Sequence, residues 1–227
     1  MNIHIGGNVI DVVEPTTKMR EAMEDAKVHL SLASPLFSYT ITAVDRIIFS
    51  NFHPRACAIV HDDMNIVCFN PDFFMNTLKD ANERAFVLYH ELDHIFFSHV
   101  QRMNEMGYSH KEWNNATDLY INLNASGIFA NEGSSNPLIN ERYQKYMTRP
   151  SCVLFDMKYL GMSSDDIYDL LKEESKGGDA SGGGSTSEGS DQSDGGGDGG
   201  DPSEGPVGGD FDAIIGNGGN VEKLVKN

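Results

Sequence analysis

The stretch YHELDHIFFSH, Tyr89 to His99, sets three histidines and two acids in an otherwise apolar run. No other feature restricts the possible folds as much. Leu88, Leu92, Ile95 and Phe96 recur at helical spacing, so the run is predicted to be a buried helix. Buried titratable groups are costly unless they are hydrogen-bonded, paired or bound to a metal. The rest of the chain must therefore supply partners for them. His90, Glu91 and His94 spell HExxH, which on a helix puts both imidazoles one turn apart on the same face with the glutamate beside them. Two such nitrogens can hold one metal ion, and the carboxylate can act as general base on a water that the metal activates.

A third ligand has to come from elsewhere. His99 lies nine residues after His90, which turns it about 180° round a continuous helix, and about 140° from His94. "IFFS" has no Gly or Pro to break that helix, so His99 is expected to be a buried, hydrogen-bonded histidine and not a ligand. Asp118 is the better candidate. Asn114, Asp118 and Asn122 fall four residues apart and draw a polar stripe along a second, largely apolar helical segment, where a metal would give the stripe a purpose. The asparagines would then orient the carboxylate. His110, in the loop between the helices, is the runner-up ligand. Asp93, about 60° from His90, is either a supporting acid or part of a solvated face.

Upstream, residues 16–33 form an amphipathic helix stopped by Pro35, and RACAIVHDDMNIVCF reads as a hairpin. Pairing Val60 with Asn65 would set Ile59 opposite Ile66 and Cys57 opposite Cys68. That cysteine pair is either a redox clip or, on the favoured reading, two small apolar residues on one sheet face. A helix over about 82–102 carries HExxH, a second begins near Asn114 and ends by Gly127, residues 131–150 form an irregular loop, and SSDDIYDLLKEES is a capped helix.

Residues 1–175 thus form one domain, with a Gly/Ser-rich acidic linker at 176–210 expected to be disordered and a short tail at 211–227. From Gly177 to Asp210 the linker holds eight acids and no Lys or Arg. With a net charge of −17 the chain is a poor partner for nucleic acid, whose binding relies on Lys and Arg at phosphates. No segment has the roughly 20 apolar residues of a membrane span, and three cysteines without CxxC spacing fit a reducing compartment, so a cytoplasmic protein is expected.

HELDHIFFSH together with WNNATDLYIN resembles the putative metallopeptidase domain usually found N-terminal to a von Willebrand factor A-like domain. The family's pattern is HExxH with a His five residues on, followed by WNxAxDxxIN. It is met at His90, Glu91, His94, His99, Trp113, Asn114, Ala116, Asp118, Ile121 and Asn122. The resemblance spans roughly residues 20 to 172. It implies an α+β, zincin-like fold, mostly helical, with a small hairpin or sheet beside the HExxH helix. It also implies Zn²⁺ on His90, His94 and Asp118, with Glu91 as general base in hydrolysis of a protein or peptide substrate. Tyr108, His110 and Tyr120 are all available as a second oxyanion donor. Genes of this family often neighbour AAA+ ATPases, so an ATPase partner is implied as well. In the family such a linker leads into the A-like domain, whereas only residues 211–227 follow it here, so partners that bind through that domain are not expected. The rival reading is a catalytically silent, zinc-stabilised protein-binding module.

Overall fold

Two short strands open the chain, β1 (Asn2–Ile5) and β2 (Asn8–Asp11), paired antiparallel with Ile3 opposite Ile10. The computed structural model describes residues 2–5, 8–61, 64–177 and 212–215. The acidic linker expected at 176–210 lies outside the described residues beyond Gly177. So does the tail, apart from 212–215.

Thr16 accepts a hydrogen bond from the Met19 amide at 3.2 Å and caps α1 (Thr17–Ala33), as a hydroxyl at that position should. Met19, Met23, Ala26, Leu30 and Ala33 form its buried stripe. Pro35 does more than stop this helix. Its fixed φ suits a first helical turn, and it opens α2 (Pro35–Thr40).

Strands β3 (Arg46–Phe49), β4 (Ala56–His61) and β5 (Met64–Phe69) follow. β4 and β5 pair antiparallel in the expected register, Val60 with Asn65, Ile59 with Ile66 and Cys57 with Cys68. Both cysteines are fully buried beside Ile3, Ile10, Ile48, Ile59 and Ile66, which suits small apolar residues on a covered sheet face. β3 adds to the other side of β5 in parallel.

Asp80 caps α3 (Ala81–Phe96), accepting from the Glu83 amide at 3.0 Å, while the Glu83 carboxylate accepts from the Lys79 amide at 2.8 Å. The residues from Ala85 to His94 are all buried. α3 runs against β4, α1 and the helix that follows it in the motif, which makes it the centre of the domain. The single helix expected over 82–102 is in fact two. Phe97 closes α3, Ser98 takes a left-handed conformation (φ 52°, ψ 37°), and α4 (His99–Met106) starts in a new direction. Then α5 (His110–Ala125) begins four residues before the expected Asn114.

Gly127 ends α5 with φ 67°, where a Cβ would come within 2.7 Å of the Tyr143 Cβ and 2.9 Å of the Asn140 carbonyl. The expected irregular loop at 131–150 is more ordered than its composition suggests. β6 (Ile128–Phe129) pairs with β7 (Leu138–Ile139), and α6 (Glu141–Tyr146) is capped by the Asn140 side chain. α7 (Ser164–Gly177) packs Ile167 and Tyr168 against Trp113, Leu119 and Leu123 of α5. The last described strand, β8 (Asp212–Ile215), joins β4 in parallel, so the sheet order is β3-β5-β4-β8. The fold is α+β and mainly helical. Among the described residues no helix is long and apolar enough to cross a membrane.

Candidate metal centre

His90 and His94 face the same way from adjacent turns of α3, and α5 brings Asp118 opposite them. The His90 and His94 Nε2 atoms are 3.0 Å apart. Asp118 Oδ1 lies 3.4 Å from the first and 3.3 Å from the second. Donor atoms 2.0–2.1 Å from a four-coordinate, tetrahedral ion stand about 3.3 Å from one another, so this triangle has the size of three ligands on one ion. All three residues have zero exposure.

The hydrogen bonds around the triangle decide which way the lone pairs point. Asn122 Nδ2 donates to the Leu154 carbonyl at 2.9 Å, which leaves its Oδ1 to face His90 Nδ1 at 2.9 Å. His90 Nδ1 therefore carries a proton that it donates to Asn122, which turns Nε2 toward Asp118 and leaves Nε2 as the nitrogen for a metal ion. Burial alone would raise the Asp118 pKa, but hydrogen bonds and charge from His90 and His94 outweigh it and hold the carboxyl at about 2. An ionised carboxylate and two imidazole Nε2 atoms converge on one buried point, where a metal cation can take the place of the imidazole protons. The residues fit a metal ion.

The expectation that both asparagines steer Asp118 is corrected for Asn122, whose side chain orients His90. Its place in the stripe was visible in the sequence, but its partner was not.

His99 is close to the centre without belonging to the triangle. The break at Ser98 carries it back toward α3, so the far-side position expected on a continuous helix does not arise. Its Nδ1 lies 3.4 Å from His94 Nδ1, and its carbonyl accepts the Trp113 indole N–H at 2.8 Å. Burial first, then the neighbouring His94 and Arg102, push the His99 pKa well below its ordinary value, so the ring is neutral and can accept from His94 Nδ1–H. That contact frees His94 Nε2 in the same way that Asn122 frees His90 Nε2. α4 is in turn held by α7: Arg102 pairs with Asp165, and the Tyr108 hydroxyl donates to the same carboxylate at 3.0 Å.

Glu91 is fully buried on α3 between the two histidines. Asp93 is buried too, which excludes the solvated face. Burial pushes its pKa well up, opposed by the Tyr89 hydroxyl. His110 forms the first residue of α5, two turns before Asp118, and is not part of the cluster. Of the oxyanion candidates, Tyr108 gives its hydroxyl to Asp165, while Tyr120 stands edge-on to Phe97, ring centroids 5.8 Å apart.

A family model described as a putative metallopeptidase domain matches residues 18–213, most of the chain. No curated protein and no solved structure matches it.

Proposed function

The chain belongs to this putative metallopeptidase domain family, and from that premise we propose that it is a zincin-like, zinc-dependent peptidase. One observation carries the reading above all. His90, His94 and Asp118 set three ligand atoms at the spacing of a tetrahedral ion, and the two histidines share α3 with Glu91. Two nitrogens and a carboxylate oxygen on a tetrahedral frame suit Zn²⁺ and leave a fourth position open. When bound, zinc supplies Lewis acidity toward the scissile carbonyl and makes water a better nucleophile at neutral pH.

The chain's own residues do the rest. Glu91 accepts the proton of the attacking water and passes it to the leaving amine nitrogen. Asn122 and His99 hold the two imidazoles in the tautomers that turn Nε2 inward, and Asp118 offsets part of the ion's charge. Substrates are proteins or peptides, and by family resemblance an AAA+ ATPase is the partner. Three cysteines without CxxC spacing suit a reducing, cytoplasmic setting.

A second reading draws on the burial of the cluster. Enclosed on every side, an ion could simply clamp α3 to α5 in a zinc-stabilised binding module. Glu91→Gln separates the two. The peptidase reading expects the variant to keep its zinc and lose peptide hydrolysis by about 10²-fold or more. Undiminished hydrolysis would remove Glu91 as the base, and the absence of any hydrolysis in the wild type across peptide libraries would favour the module.

A further inference from the structure

Of the strands, β4 lies most closely against α3, the helix that bears the candidate ligands. One of its edges is taken by β5. The other would be the open edge of the sheet, were it not for β8, which pairs there from Cys57↔Asp212 to Val60↔Ile215. β8 also lies beside α4, the helix that starts at His99. It reaches this place from far along the chain, after residues 178–211, whose contour at about 3.3–3.6 Å per residue is long enough to reach any face of the domain.

A bare strand edge is a template for any extended chain, and peptide-binding proteins use such edges for recognition. The resident of this edge comes from the same chain. At the same time His90, Glu91, His94 and Asp118 all have zero exposure, so no peptide can touch them with the elements arranged as they are. Something has to move. α3 and α5 carry the cluster and cannot leave without dismantling it, and in the sheet beside α3 the element most easily exchanged is β8, which is four residues long and pairs with a single strand.

We propose that Asp212–Ile215 is a displaceable occupant, in cis, of the outer edge of β4, holding that edge until another extended strand takes its place. The inference rests on the peptidase reading for the fate of the displacing peptide, but the docking edge itself does not depend on catalysis. Because the occupant is carried on the same chain, a competitor in trans faces an effective concentration on the order of millimolar.

The test uses the full chain carrying Ala213→Pro and Ile214→Pro. Whichever of these neighbouring residues turns its N–H toward β4, one ladder bond is lost, because proline has no N–H to give. Hydrogen exchange is read at the Cys57–Val60 amides, with the α1 and α3 amides reporting that the domain remains folded. A fluorescent peptide of residues 209–217, GDFDAIIGN, is titrated into both proteins. The proposal expects β4 amides that face β8 to exchange about tenfold faster or more in the double variant. It also expects the peptide to bind the variant at micromolar concentrations and to leave the wild type unlabelled at the same concentrations.

Equal exchange at β4 in the two proteins, with α1 and α3 protected in both, would overturn the proposal. So would a folded variant that takes up no peptide. Binding without cleavage supports the docking edge and counts only against the peptidase reading.

Discussion

At the scale of single residues, two buried aspartates on facing helices have opposite electrostatics, and the difference can be measured. Asp118 is held at about pKa 2 by His90 and His94, below its unfolded value near 3.8. A depressed carboxylate adds stability that is fully present above the unfolded pKa and is lost as pH falls through the folded one. In metal-free protein, the stability advantage of wild type over Asp118→Asn should therefore be flat above about pH 4 and shrink by roughly 2 kcal/mol toward pH 2, as urea titrations would show. Asp93 runs the other way. Its raised pKa means that folding must take up a proton above the unfolded pKa, so it costs stability at neutral pH and not below about pH 4. Asp93→Asn should raise the melting temperature at pH 7 and have little effect at pH 3; a lower melting temperature at pH 7 would show that burial does not raise the Asp93 pKa. HExxH and the polar stripe ending at Asn122 were legible because each follows from helical spacing. The Asn122–His90 contact was not, since spacing within one helix says nothing of which residue on another helix it meets.

At the scale of elements, the break between α3 and α4 decides the role of His99. It left no trace in the sequence, because a left-handed residue is usually Gly or Asn and here it is Ser98. Helical rotation carried through Ser98 therefore put His99 on the wrong side. Ser98→Gly should keep the metal and be neutral or stabilising by up to about 1 kcal/mol, since glycine adopts that conformation without strain. Ser98→Ile should cost about 1–2 kcal/mol, because a β-branched side chain resists positive φ, and it should weaken metal binding by drawing His99 off His94. Equal metal affinity in both variants would mean that the His94–His99 contact does not matter. The β4–β5 register was legible for the opposite reason. The turn-forming HDDMN between two short β-rich runs fixes the alignment, and it sets Cys57 and Ile59 against Cys68 and Ile66 on one covered face. β8 gave no such signal: four residues that pair at a distance, after a tract of Gly, Ser and Asp, have no period to read.

At the scale of the whole molecule, a single ion would tie α3 to α5, and through the Trp113–His99 and Arg102–Asp165 contacts α4 and α7 depend on the same pair of helices. Removing the metal should therefore lower the stability of the entire domain. If the ion is present at about 1,000 times its dissociation constant, chelation should cost on the order of 4 kcal/mol. For a domain of this size that is a fall of roughly 10 °C in melting temperature, visible by calorimetry with and without chelator. The α+β class and the helix that holds HExxH were readable from composition and period. The way the domain is closed depends on pairings too far apart in sequence for either to report. The most direct test of the account is the metal content of the purified chain, by plasma mass spectrometry, beside His94→Ala, Asp118→Ala and His99→Ala. The account predicts about one zinc per chain in the wild type, zinc lost from the first two variants and kept, more weakly, by the third. No metal in the wild type after zinc is added and the excess removed, or zinc retained by Asp118→Ala and lost from His99→Ala, would contradict it.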